Sequence, residues 1–154
     1  MERFTFNLKG NWKGSWDGQG HVKTKGIDTD ISVDPSMKGA GIGTNPDELL
    51  LSALSSCYMI TLGIRLGKEE ISFDHLSIES EGIVTKKGGL HFDKVIHRPV
   101  IFLDREVTDE SKLRSAIYQA EQDCMVAKAV RGNVRIEIAP VFKTVETDPG
   151  SKKA

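Results

Sequence analysis

The 154-residue chain carries 21 Lys plus Arg against 22 Asp plus Glu, a formal charge of −1 and a pI near 6.4. With no global field of either sign, no nucleic acid and no anionic membrane is selected as a partner, and any ligand has to be read by local groups. The length suits one domain, expected over residues 1–143 with a loose polar tail at 144–154, and its core needs neither disulfides nor a metal in order to fold. The two cysteines, Cys57 and Cys124, stand far apart with no Cys-x-x-Cys and no extracellular signal, so reduced thiols are the expected state.

At the N-terminus, an acidic residue and period-2 alternation stand where a leader would need a basic stretch and an apolar run, which predicts a first strand and a cytoplasmic protein. Phe4, Phe6 and Leu8 carry the alternation. Gly10, Gly14, Gly18 and Gly20 then punctuate a stretch holding Trp12 and Trp16, read as a meander of short strands on which the indoles pack. Ile31 and Val33 form a further extended piece. The loop from Asp34 to Gly43 reads as a flexible hinge rather than an anion cradle, because the Lys-Ser/Thr ending of a phosphate loop is absent.

Thr44, Asn45, Pro46, Asp47 and Glu48 combine a capping residue, a first-turn proline and acids at the positive end of the dipole, which predicts a helix start. From Leu49 to Arg65 apolar residues cover more than one face, so this helix should be central. Ser52, Ser55, Ser56, Thr61 and Arg65 make it too polar for a membrane span. Leu76–Val84 and Phe92–Leu103 read as a hairpin turning at residues 86–89, with Pro99 implying an edge or a bulge. Thr108 is placed to cap a second helix through about Val130, with Leu113, Ala116, Ile117, Ala120, Cys124 and Ala127 on one stripe and Gly132 ending it. Val134, Ile136 and Ile138 then alternate in a closing strand. The class is α+β. A helix apolar on several sides in so short a chain needs cover from a second subunit, which predicts a homodimer.

Free cysteine packs as a small hydrophobe, so inert packing is the first reading of each thiol; two of them on buried stripes leave a mutual contact open. A reactive thiol must be a thiolate near neutral pH. Cys57 stands ten residues beyond Asp47, roughly 15 Å along the helix at 1.5 Å per residue, too far from its own helix N-terminus to be activated by it. A Lys or Arg elsewhere in the fold, or in a second subunit, is the expected source. His21, His75, His91 and His97 lack ligand spacing and predict no metal site; they read as ordinary surface or strand residues.

The segment from Gly43 through Thr44, Asn45, Pro46, Asp47 and Glu48 to Cys57, and a second one from Ala120 through Cys124 to Val130 and Gly132, resemble the two cysteine motifs of the OsmC/Ohr family of osmotically inducible and organic hydroperoxide resistance proteins. With the hairpin between them, the resemblance spans roughly residues 4–140. It implies antiparallel sheets around a central buried helix, an intertwined homodimer, and thiol-dependent reduction of hydroperoxides, organic ones in particular. Cys57 would be the peroxidatic residue and Cys124 the resolving one, a dithiol reductant would reset them, and no cofactor, metal or flavin is implied. Where the family has its catalytic glutamate this chain has Asp47, and where the family has an arginine upstream of the motif there is none between Arg3 and Arg65. Lys13, Lys23, Lys25 and Lys38 precede the motif, Lys38 nearest to it, and a lysine lacks the planar fork of a guanidinium. The missing arginine raises a second reading, a binding or sensing protein of the same fold that holds an apolar or thiol-containing ligand around Cys57 with little turnover. A different thiol reaction on an electrophile, and a purely structural role, complete the alternatives.

Overall fold

In a computed structural model that describes residues 1–145, the chain separates into two compact units, Met1–Leu50 and Leu51–Ala154, each described by itself. The first unit holds three short strands paired antiparallel in chain order, β1 (Lys9–Lys13), β2 (Gln19–Lys23) and β3 (Asp28–Ile31). The strand expected over the first residues starts only at Lys9. Phe4, Phe6 and Leu8 are 78%, 91% and 61% exposed, because alternation supplies a strand face but a strand also needs a neighbour for its ladder, and no described strand pairs with them. Nor do the indoles pack beneath the sheet as expected. Trp12 and Trp16 stay about half exposed, their N–H groups donating to the carbonyls of Gly14 and Met37 at 2.9 Å.

The loop after β3 is laced rather than hinged. A short 3-10 turn at Pro35–Met37 is capped by Asp34, whose carboxylate accepts from the Ser36 N–H at 2.9 Å. Ser32 donates its N–H to Thr44 and its hydroxyl to the Ile42 carbonyl, at 3.0 and 2.8 Å. The same hydroxyl accepts from the Ile42 N–H at 2.6 Å. A Cβ on Gly39 would lie 1.9 Å from the Val33 carbonyl oxygen, so the strands close on the loop where only glycine fits. These donors serve the loop's own closure. The expected cap follows: the Asn45 side chain accepts from the Glu48 N–H at 2.8 Å and donates to its carboxylate at 3.1 Å, and Thr44 donates to that carboxylate at 3.0 Å. Helix α1 runs from there over Pro46–Lys68.

The second unit is built on a mixed sheet. β4 (Phe73–Lys86) and β5 (Leu90–Leu103) form the expected hairpin, and β6 (Arg135–Ile138) and β7 (Val141–Thr144) lie parallel to β5, one after the other along its far side. β5 is therefore no edge strand, and the bulges fall elsewhere, at Phe73/His75 and Ile83/Val84. Pro99 is tolerated because β6 ends alongside His97 and β7 begins alongside Val100; the residue with no N–H sits where the ladder changes partners. Thr144, expected to open the tail, closes β7, and the Val145 N–H donates to Leu103 at 2.7 Å; residues 146–154 of that tail lie outside the described residues.

Two helices follow the hairpin where one was expected, α2 (Glu110–Asp123) and α3 (Met125–Val130), with Asp109 rather than Thr108 as the cap of α2. Tyr58, Leu62 and Leu66 of α1 pack with Ile101 and Leu103 of β5 and with Leu113, Ala116, Ile117 and Ala120 of α2. Deleting a side chain such as Leu62 from this core costs roughly 2–5 kcal/mol. By length and composition α1 is apolar enough to cross a membrane, contrary to the expectation from its serines; its stripe Leu54, Tyr58, Leu62 and Leu66, spaced at i, i+4, is spent on the core. A second face, with Ile60 and Ile64 at 64% and 55% exposure, is uncovered.

Candidate functional site

The break between α2 and α3 builds the site. At Cys124 the backbone leaves helical geometry (φ −61°, ψ 116°), and the residue caps both helices at once. Its N–H donates to the carbonyls of Ala120 and Glu121 at 3.1 and 3.3 Å, closing α2. Its sulfur accepts from the Ala127 N–H at 3.4 Å, taking the role at α3 that a serine or aspartate oxygen usually fills. Two ion pairs hold the corner: Arg65 of α1 donates to Asp123, and Arg131 donates to the carboxylate and the carbonyl of Glu121 at 2.6 and 3.1 Å.

Against this corner lies Cys57, half-buried on α1. The Cys124 thiol and the backbone N–H groups of Val126 and Met125 act on its sulfur and favour its charged form. Thr61, one turn along the helix, has its hydroxyl 4.0 Å from that sulfur and donates to the Cys57 carbonyl at 2.7 Å. Burial pushes the Cys57 thiol up, but the bonds from Cys124, Val126, Thr61 and Met125 together outweigh it and hold the thiol below its ordinary value. Cys124, 1% exposed, moves the other way: burial first, and then its neighbour Cys57, push it up to about 11, with the Ala127 and Val126 N–H groups opposing. The two sulfurs thus differ in acidity, Cys57 the more acidic and Cys124 the less.

Among the described groups of this chain, no Lys or Arg contributes to the lowering of the Cys57 thiol. The groups that lower the thiol are directed N–H, S–H and O–H donors, most of them freed by a helix break that nothing in the sequence marks. A second feature, which the sequence spacing does not signal, lies on β5. His97, read from the sequence as an ordinary strand residue, is 1% exposed, stacks on Tyr58 with ring centroids 5.1 Å apart, and shares a 2.7 Å hydrogen bond between Nδ1 and the Ser80 hydroxyl. Tyr58 donates to the Ile117 carbonyl at 2.9 Å. Burial lowers His97 to about 4, so it is neutral at pH 7, stacked on Tyr58, the residue after Cys57 on α1.

The structure therefore brings Cys57 and Cys124 together. Asp47 and Lys38 belong to the first unit, Asp47 half-buried in the first turn of α1 and Lys38 exposed in the left-handed region at φ 63°. Among the described residues no group of three His, Cys, Asp or Glu is arranged to hold a metal ion. His21 instead bridges Asp30 and Asp28 at 2.8 and 2.5 Å on the exposed sheet of the first unit. Chemically, the cysteine pair is suited to attack on a soft electrophile by one sulfur, followed by closure of a disulfide with the other.

A family model described as OsmC-like protein matches residues 38–139, a span that includes both cysteines. YmaD of Bacillus subtilis, an uncharacterised protein, is 38% identical over 141 residues, covering 90% of this chain and 94% of its own. Organic hydroperoxide resistance protein-like 1 of Staphylococcus saprophyticus is 26% identical over 126 residues, covering 77% and 84%. Among solved structures, the organic hydroperoxide resistance protein OhrB of Bacillus subtilis matches with a TM-score of 0.68 at 25% identity, over 91% of this chain and 98% of that one.

Proposed function

Because the chain belongs to the OsmC-like protein family, we propose that it is a thiol-dependent reductase of organic hydroperoxides acting in defence against peroxide stress. The observation that carries this reading is that the two cysteines of the matched motifs act on each other at the α2–α3 corner, Cys57 lowered and Cys124, buried as the cap of α3, raised. The Cys57 thiolate attacks the terminal oxygen of the hydroperoxide, the O–O bond breaks, an alcohol leaves, and Cys57 becomes a sulfenic acid. Cys124 then displaces hydroxide from that sulfur to give the disulfide, and a dithiol reductant resets the pair by exchange. From the motif, Asp47 takes the part of the family's glutamate, and Lys38 is the nearest cation upstream. The chemistry calls for no cofactor.

The reading includes a homodimer in the cytoplasm. It is supported by the uncovered face of α1 at Ile60 and Ile64 and by the exposed Phe4 and Phe6, a distribution of apolar surface that a second copy would cover. The absence of arginine between Arg3 and Arg65 favours a second reading, a member of the fold that binds or senses a ligand at Cys57 with little turnover.

Stopped-flow oxidation of the reduced protein by cumene hydroperoxide, followed by intact mass without reductant, decides between the two. Fast reaction with loss of two hydrogens is the expected result, and Cys57→Ser abolishes peroxide consumption altogether. Reaction no faster than a free thiol, or retained turnover in Cys57→Ser, removes the reductase reading.

A further inference from the structure

One line of polar groups joins both long strands of the second unit to its two longer helices. The Ser80 hydroxyl of β4 and Nδ1 of His97 on β5 share a 2.7 Å hydrogen bond, the imidazole stacks on Tyr58 of α1 with centroids 5.1 Å apart, and the phenol donates to the Ile117 carbonyl of α2 at 2.9 Å. We propose that Tyr58 is a positioning residue for the thiol pair: its hydroxyl fixes α1 on α2 and so holds Cys57, the residue before it, where the Cys57 sulfur can close on Cys124. The proposal rests on the dithiol reading of the site and concerns its second step. There the Cys124 sulfur attacks the Cys57 sulfenic acid, an S–S bond forms, the S–O bond breaks, and the hydroxide leaves with the Cys124 proton as water.

Tyr58, His97 and Ile117 are each no more than 1% exposed. A hydroxyl is costly to bury there, and a phenylalanine would fill nearly the same volume, so packing alone does not account for the phenol. The rest of the contact between the helices is Leu62 and Leu66 with Ala116 and Ala120. Apolar contact has no direction and leaves one helix free to turn or slide on the other by small amounts. A 2.9 Å O–H···O bond has both a length and a direction, and a satisfied buried polar link selects one arrangement among several of similar apolar burial. Its place on each helix then matters. On α1, Tyr58 lies about 1.5 Å along the axis and about 100° around it from Cys57, so a rotation of α1 that the bond resists is a rotation of Cys57 as well. On α2, Ile117 stands about two turns before Cys124. A second tie acts further along both helices: Arg65, on the stripe Cys57, Thr61, Arg65, donates to Asp123, the neighbour of Cys124. A disulfide demands Cβ atoms about 3.5–4.5 Å apart, so a shift of about an ångström is enough to hinder closure. Misplacement of that size costs up to about 10²-fold in rate.

The test equilibrates wild type, Tyr58→Phe and Ile101→Val in glutathione buffers and reads, by intact mass after acid quenching, the ratio of the closed Cys57–Cys124 disulfide to the mixed disulfide with glutathione. At a fixed concentration of reduced glutathione that ratio reports how closely the two sulfurs are held. Tyr58→Phe keeps the ring, its stack on His97 and nearly all of its volume, and loses only the hydroxyl. Its ratio should fall about tenfold, within the cost of an ångström-scale misplacement. Ile101→Val removes one methyl group from the same core cluster, off the polar line, and should lower the melting temperature while the ratio stays at the wild-type value. A wild-type ratio in Tyr58→Phe overturns the positioning role, as does an equal fall in Ile101→Val, which would make the effect one of stability alone. The buffers hold no hydroperoxide, so a failure of the reductase reading leaves this result intact. A wild type that forms no closed disulfide removes the dithiol reading, and the role of Tyr58 with it.

Discussion

His97 makes the stability of this fold depend on pH in a direction opposite to that of most histidines that gain a partner. Buried at 1% exposure, it has a folded-state pKa of about 4 against an ordinary value of 6.5. Between those values the unfolded chain binds the proton and the folded chain does not, so stability is fully present above pH 6.5 and is lost as pH falls towards 4. At 1.36 kcal/mol per pKa unit the limiting loss is about 3 kcal/mol, of which about 2 kcal/mol has gone by pH 5. His21, raised by its bonds to Asp30 and Asp28, works in the reverse sense, so wild type alone would blur the effect. The assay is urea denaturation of wild type and His97→Gln at pH 7.5 and pH 5. The glutamine variant is expected to be weaker at pH 7.5, having lost the stack on Tyr58, yet to lose about 2 kcal/mol less than wild type on acidification. Identical losses in the two proteins would refute the buried, neutral state of this imidazole.

Three further outcomes are expected. Gly39→Ala forces a Cβ to 1.9 Å from the Val33 carbonyl oxygen and should lower stability by at least about 2 kcal/mol in thermal melts, whereas an unchanged melting temperature would show that the loop gives way as a hinge. Arg65→Met deprives Asp123 of its cation at the residue before Cys124; the Cys57–Cys124 disulfide should become about fivefold easier to reduce in glutathione buffers, equivalent to about 1 kcal/mol, and an unchanged redox equilibrium would deny the ion pair a positioning role. Ile60→Glu, on the uncovered face of α1, should convert a dimer to monomers in sedimentation velocity while leaving the melting temperature of the monomer nearly unchanged; a persistent dimer would place the interface elsewhere.

The parts of the fold legible in the sequence are those decided within a few residues. The start of α1 is one, because Thr44, Asn45 and Glu48 satisfy one another inside a single turn. The β4–β5 hairpin is another, since its alternation and its glycine turn are both local. Pro99 shows the limit. The missing donor does exclude an unbroken central ladder, but that two short strands divide the far side of β5 and leave a gap at the proline depends on residues some forty positions away. The pairing of Cys57 with Cys124 was equally out of reach, because the apolar stripe from Leu113 to Ala127 runs through Cys124 without a glycine or proline to mark a break. What accompanies the break is tertiary: Arg65 takes hold of Asp123, and Arg131 takes the Glu121 carbonyl that a continuing helix would have used. Phe4 and Phe6 failed for the complementary reason, since alternation announces a face to be covered without naming what covers it.

That break also explains how a thiol can be activated where the arginine expected from the family is missing. A cation near two sulfurs is a point charge, and it lowers both of them, which would leave two thiolates repelling each other across the distance a disulfide must close. Hydrogen-bond donors act along their own directions and favour only the sulfur they face. The Met125 N–H acts on Cys57, that of Ala127 on Cys124 and that of Val126 on both, and at Cys124 burial and the neighbouring Cys57 outweigh them. The result is a pair whose two sulfurs differ in acidity, the nucleophile lowered and its partner raised. An arginine placed near Cys57 would then be expected to lower both thiols together and leave the difference in acidity between them no larger.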